Sequence, residues 1–222
     1  MKYVYPKIGK VFETGSDFVN TLVIENQGLF CRIIEDFQNQ INGFEGKGVL
    51  STDDKIMPMN KNLEVFSQFV PFEINRKNLI SKICSAIEAK AINEEFCFKT
   101  SELMTEIESF LMELSFDFDC NLSFEKLNFA SLVKASGLEI ADDYDSLGEK
   151  IIDLMELITE FDREKFYVII NLRSYLSDEE TERFMDTVIR HRFSVLMIES
   201  NEHLLLPRES RFLVDKDLCE IS

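Results

Sequence analysis

Two uninterrupted apolar runs, Phe166 to Asn171 and Phe193 to Ile198, flank a segment that opens with Ser177-Asp-Glu-Glu180. No other feature limits the fold as strongly. A serine followed three residues later by glutamate is a capping box, in which hydroxyl and carboxylate satisfy the free N–H groups of a helix start. Phe184, Met185, Val188 and Ile189 then recur at helical spacing,. Strand, helix and strand together have the length of one βαβ unit. Strands that are apolar at every position belong to a parallel sheet covered on both faces, and a right-handed crossover is expected. The fold class read from this segment is α/β with a mainly parallel sheet.

The rest of the chain divides by periodicity into three parts. Residues 1–73 read as short strands around one helix. Asn20 to Glu25 is a buried-strand pattern, and Leu29, Ile33, Phe37 and Ile41 form a helical repeat starting at Gly28,. Gly43, Gly46 and Gly48 mark a turn,. Val49-Leu50 and Leu63 to Phe66 are further strand candidates, joined by an irregular Met- and Asn-rich connection. Residues 74–143 read as a helical insertion, because three helical faces follow one another there. They are Leu79, Ile80, Ile83, Ala86 and Ile87; then Leu103, Ile107, Phe110, Leu111 and Leu114; then Phe129, Leu132 and Val133, with Gly137 as C-terminal cap,. Residues 144–222 return to α/β, beginning with a helix that carries Leu147, Ile151, Leu154, Met155, Ile158 and Phe161.

Composition excludes several classes. Hydrophobic residues make up 45% and charged residues 29% of the 222, the balance of a globular chain,. The five cysteines form no C-x-x-C pair, so buried, reduced thiols in a cytosol are expected rather than a disulfide framework or zinc site,. No apolar run approaches a membrane span, and residues 1–10 lack the apolar stretch of a signal peptide, which predicts a cytoplasmic protein,. The formal charge of −17 disfavours non-specific attraction to nucleic acid or anionic lipid,.

Catalytic signatures are missing. A strand–helix start at Leu22 to Leu29 with a later βαβ resembles the frame of a phosphate-loop nucleotidase. Such a loop reads G-x-x-x-x-G-K-[ST], because backbone amides and a lysine surround the phosphates. Here it reads Glu25-Asn26-Gln27-Gly28, and the strand at Val168 to Asn171 ends in Asn rather than a magnesium-holding carboxylate. Glu45-Gly46-Lys47, with Asp36 upstream, offers the elements of a metal-dependent nuclease,. Asp36 sits in the predicted first helix, however, and the triplet in a glycine turn, so solvated charge is the favoured reading. Neither His191 nor His203 has a partner nearby in the sequence, and no nucleophile elbow occurs,.

Acidic residues cluster in the insertion. Asp117-Phe-Asp119-Cys-Asn121 matches the first ligands of a calcium loop, but Leu122 replaces its glycine and Asn128 its closing glutamate, which excludes an EF-hand,. Two readings stand side by side. One is a solvated acidic loop; the other is a looser calcium site sharing Asp117 and Asp119 with Glu125, or with Asp142, Asp143 and Asp145.

The order of these parts resembles one family, the small accessory adaptation proteins of type II-A CRISPR systems called Csn-two. The likeness rests on Asp145-Ser-Leu-Gly-Glu-Lys-Ile-Ile-Asp-Leu-Met-Glu156 and Lys165-Phe-Tyr-Val-Ile-Ile-Asn171. It continues through Tyr175-Leu-Ser-Asp-Glu-Glu180 and Val195-Leu-Met-Ile-Glu199. Leu63-Glu-Val-Phe-Ser67, Phe72-Glu-Ile-Asn75 and Leu132-Val-Lys-Ala-Ser-Gly-Leu-Glu-Ile140 support it. The resemblance implies a degenerate P-loop-NTPase-like α/β head with an inserted α-helical leg. It further implies a non-catalytic homotetramer ring that takes linear double-stranded DNA by its ends during spacer acquisition. Bound Ca2+, no nucleotide, and the CRISPR integrase complex and RNA-guided nuclease as partners are also implied.

A ring of such acidic chains holds DNA only if its cations are segregated inward, where their field dominates within a Debye length of about 8 Å. Candidates by position and charge are Arg76, Lys77, Lys82, Lys126 and Lys134 in the insertion, and Lys61, Lys150 and Arg173 outside it. For the metal, the acidic stretch around Asp117, Asp119 and Glu125, together with Asp142 and Asp143, occupies the region the family implies. The spelling there is longer and richer in Phe than the family's. Two alternatives remain: an acidic protein-interaction module that regulates a nucleic-acid-processing partner without touching DNA, and a metal-dependent nuclease through Glu45.

Overall fold

The structure, a computed structural model, describes every residue except Ser16, Asp54, Asn121 and Ser222. The chain divides into two compact units, one made of Met1–Phe72 and Tyr144–Ser222, the other of Glu73–Asp143.

The first unit contains β1 (Lys2–Val4), β2 (Val11–Glu13), β3 (Val19–Ile24), α1 (Gln27–Ile41), β4 (Val49–Thr52), β5 (Lys55–Met57), the one-turn α2 (Met59–Asn62) and β6 (Leu63–Phe66). The second unit contributes α3 (Lys77–Ala91), α4 (Cys97–Ser115) and α5 (Phe129–Ala135). The chain then supplies α6 (Leu147–Phe161), β7 (Phe166–Ile170), α7 (Asp178–His191), β8 (Ser194–Glu199), β9 (Glu209–Val214) and β10 (Glu220–Ile221) to the first unit.

The main sheet runs β10-β9-β3-β8-β7-β6, and all its pairings are parallel except β10 with β9. Every residue of β3 and β7 is buried, as continuous apolar runs require when helices cover both faces,. Leu22, Ile24, Phe166, Val168, Leu196 and Phe212 point to one face, where α1 supplies Leu29, Ile33 and Phe37. A small antiparallel sheet, β2-β1-β4-β5, packs on that side too. Its Tyr3 stacks on Phe37 at 5.1 Å and on Phe166 at 5.9 Å. Tyr167 points the other way, its hydroxyl donating to the Met155 carbonyl of α6 at 2.9 Å. Helices α6 and α7 bury Ile151, Met155, Phe184 and Val188. Each such apolar side chain contributes roughly 1.5–3 kcal/mol when fully buried.

Local chemistry sets the helix ends. Ser177 and Glu180 form the expected capping box of α7, and the Asn26 and Ser146 side chains cap α1 and α6,. The glycine turn has a steric reason at Gly48, where a Cβ would lie 2.7 Å from the Tyr3 hydroxyl,. Gln40 closes the turn by donating to the Gly48 carbonyl at 2.8 Å.

The structure adds to or departs from the sequence reading at four places. The connection between Leu50 and Leu63 is not irregular; it holds β5 and α2. Strand β9 carries no continuous apolar run, having Glu209 and Arg211 at its start, yet it pairs with β3 along its whole length. The thiols are free, but only Cys84 is buried and the other four are exposed. Helix α4 forms at the expected place without burying its apolar face.

Candidate nucleic-acid interface and a buried charge network

The cations of the helical unit are arranged by α3 and α5, which pack on each other and bury Leu79, Cys84 and Val133. Asn128 caps α5 by accepting the Ser131 N–H at 2.8 Å. Asn75 joins the two ends of the unit, donating to the Ile140 carbonyl at 3.1 Å and accepting its N–H at 2.7 Å. Between α3, α5 and the segment after it lies a groove of about 450 Å³ with Lys77 and Lys134 on its walls. Glu88 and Glu139 also line it and offset part of their charge. Arg76 is the N-cap residue of α3, provides no side-chain cap, and is followed by Lys77. Cations at a helix N-terminus oppose the macrodipole, whereas an anion placed there gains from both. Lys134, in the last turn of α5, has the favourable polarity,.

The remaining cations are dispersed. Lys82 and Lys126 are exposed on the helical unit. In the first unit, Lys61 is exposed on α2 and Lys150 is half-buried on α6.

Arg173 is a correction. It follows β7 in a single 3-10 turn, Leu172–Ser174, and its side chain is only 2% exposed. Its guanidinium donates to the Leu204 carbonyl at 2.8 Å, to Glu209 at 3.4 Å and to Asp178. Burial keeps it out of reach of a phosphate, although its Nε has no hydrogen-bond partner.

Around it lies a charge network that the sequence reading missed. Glu209, with a fully buried side chain, accepts from Arg211 through both carboxylate oxygens, at 2.9 and 3.0 Å. Arg211 also donates to the carbonyls of His203 and Leu204, at 2.7 and 3.0 Å, so two arginines hold the connection between β8 and β9. Glu199, 1% exposed at the end of β8, accepts the Arg173 backbone N–H at 3.2 Å. Its other oxygen lacks a hydrogen bond, with His203 Nε2 at 3.8 Å. Burial pushes the Glu199 carboxyl up to about 7, against the pull of Arg173,. His203 is lowered, first by burial and then by the Arg173 charge. The sequence signal available was polar residues at strand ends, which does not distinguish solvated from buried charge.

The acids proposed for calcium do not gather. Asp117, Asp119, Glu125, Asp142 and Asp143 are all exposed, and among the described residues no group of three His, Cys, Asp or Glu side chains could hold a metal ion. Asn121 lies outside the described residues. Among the described residues of one chain, these acids therefore form no ready-made calcium site.

Nor do the other chemical candidates form a reacting set. Asp36 accepts the Lys47 backbone N–H at 2.8 Å and so anchors the glycine turn, while Glu45 is exposed. His191 has a partner distant in sequence, Glu156 of α6, at 2.9 Å, and stacks on Phe193 at 5.5 Å. The junction of β3 and α1 is only Glu25 and Asn26, and Asn26 is occupied by the Leu29 N–H and the Lys216 carbonyl. No phosphate cradle fits in so short a junction. Asn171, in the left-handed conformation at the end of β7, accepts the Ser200 N–H at 2.8 Å. Among the described residues, no helix is long and apolar enough to cross a membrane.

Fold and site thus define an α/β protein with a mainly parallel sheet, a separate helical unit and a groove carrying two lysines. Comparison with known proteins identifies the group. The family described as CRISPR-associated protein (Cas_Csn2) matches residues 40–218, and the chain belongs to that family. It is 20% identical over 201 residues to the CRISPR-associated protein Csn2 of Streptococcus agalactiae, an alignment that covers 88% of this chain and 87% of that protein. The role of the chain is CRISPR-associated.

Proposed function

We propose that this protein is a non-catalytic, ring-forming binder of double-stranded DNA ends that takes part in spacer acquisition. One observation carries the DNA contact: Lys77 and Lys134, far apart in sequence, share one groove beside the α3 N-terminus. Phosphates, not base edges, are the targets that such lysines suit, so sequence preference is weak and salt dependence steep. The short β3–α1 junction and the central position of β3 support the finer fold reading, a nucleotidase-type head that has lost its phosphate loop. The helical unit corresponds to the inserted leg in this reading, and four copies close the ring. The integrase complex and the RNA-guided nuclease are its partners in adaptation. Bound calcium belongs to this reading as well; among the described residues of one chain no group of acids could hold it, so its ligands are completed between copies.

The test uses linear and covalently closed duplexes of equal length, at low and moderate salt, with and without calcium. The linear duplex should be retained and the closed one lost; equal retention rejects the end-threading ring. Lys77→Glu with Lys134→Glu should weaken linear-duplex binding about tenfold and flatten the logarithmic salt slope by about 0.9 per lost phosphate contact. A calcium requirement would mean that ligands are completed between copies.

A further inference from the structure

The connection between β8 and β9, residues 200–208, is pinned along its backbone by charged side chains. Arg211 takes the His203 and Leu204 carbonyls, Arg173 also takes that of Leu204, and Glu209 accepts the Leu206 N–H at 3.0 Å. Leu204 and Leu205 stand exposed on it. Where the connection begins, Glu199 is buried and keeps one carboxyl oxygen without a hydrogen-bond partner among the described residues. His203 Nε2 lies 3.8 Å from that oxygen, within ion-pair reach but too far for a hydrogen bond,. A buried oxygen left in this way is costly, and costlier still when it is charged.

The charges around Glu199 balance without it. Arg173 comes from the turn after β7, Asp178 from the start of α7, Glu202 and His203 from the connection itself, and Glu209 and Arg211 from β9. Strand β3, which also pairs with β8, presents no titratable group between Val19 and Ile24. Two guanidiniums therefore face the carboxylates of Glu209 and Asp178, with Glu202 at the exposed rim. An ionised Glu199 adds a negative charge where water does not reach,. Two events relieve it. His203 can take up a proton, which its own burial and the Arg173 charge oppose, or water can enter from the His203 side, where the imidazole is already 29% exposed.

We infer that residues 200–208 form a proton-controlled latch: protonated Glu199 keeps the connection closed on the end of β8, and ionised Glu199 opens it locally while the sheet stays folded. Opening carries Leu204 and Leu205 away from the Arg173 and Arg211 anchors. The two titrating groups act in opposite senses. Closure raises the Glu199 carboxyl from 4.5 to about 7, so opening grows as the pH rises through that interval and levels off above it,. Closure lowers His203 from 6.5, so protonation of the imidazole favours opening as the pH falls,. The latch is separate from the DNA-end reading and uses neither lysine of the groove.

The test is amide hydrogen exchange of the full chain at about pH 5.5 and 7, corrected for the intrinsic exchange rate. The reporters are the hydrogen-bonded amides of Ser200 and Leu206. At both pH values they should exchange at least about tenfold faster than the amides of β3 and β7, as local opening requires. Equal protection would mean that the connection opens with global unfolding alone, and would overturn the latch. In His203→Gln, where the opposing titration is gone, the opening constant should rise about tenfold between the two pH values. The parent should show a smaller rise. Glu199→Gln should reverse the sign, opening less at the higher pH, because His203 then titrates by itself. The same pH dependence in Glu199→Gln and the parent would overturn the assignment. If Glu199→Gln fails to fold, the comparison of His203→Gln with the parent decides, and identical dependence in those two would overturn it as well.

Discussion

Helices α6 and α4 carry the same kind of apolar repeat and meet opposite fates. Helix α6 buries Ile151, Ile152, Leu154, Met155 and Ile158 in the α/β unit, whereas α4, four residues longer, buries nothing. A parallel sheet offers a broad apolar face that several helices can share. In the helical unit α3 and α5 pack on each other, with Leu79, Cys84 and Val133 buried, while α4 has no buried residue. Periodicity thus states which side of a helix needs cover, and the neighbours decide whether the chain itself provides it.

Four measurements would break or sharpen this contrast. Arg173→Met should cost the most, about 3–5 kcal/mol in urea unfolding, because Glu209 would stay buried without one of its cations. A loss under about 1 kcal/mol would mean that the network is screened by solvent and the α/β unit less closed than its burial implies. Ile151→Ala should cost about 2–5 kcal/mol, since Ile151 is fully buried,. Glu199 adds a pH dependence: its folded value is raised from 4.5 to about 7, so the folded state holds a proton that the unfolded chain releases,. That contribution is complete below about pH 4.5 and lost as the pH rises through about 7, at most roughly 3 kcal/mol,. His203, with a lowered value, acts in the opposite sense, favouring the fold at higher pH. Comparing stability against pH for the parent and Glu199→Gln isolates the carboxyl; identical slopes would remove its assigned role. Leu103→Ala should be the mildest, within about 0.5 kcal/mol, as befits an exposed position,. A cost near that of Ile151→Ala would show that α4 is covered in solution.

Where chemistry is local, reading the residues was enough. The Ser177–Glu180 capping box, the αL glycine at Gly137 after α5 and the buried strands β3, β7 and β8 all follow from short-range patterns. Strand β9 escaped because its buried half is too short to show a period and its first residues are charged. Arg173 was misread for a related reason. An arginine after a strand has the same spelling whether it meets solvent or the buried Glu209 contributed by a distant strand. In the candidate site, Lys77 and Lys134 could be chosen by charge and position, but their shared groove depends on α3 packing against α5.

The amino-acid order alone determined the alternation of strands and helices, the absence of a phosphate loop after β3, and the acidic excess, because each depends on neighbouring side chains or on simple counts. Tertiary packing decided which charges are buried and which apolar face remains open. Both depend on what distant segments bring into contact, and desolvation acts on that environment rather than on the residue type.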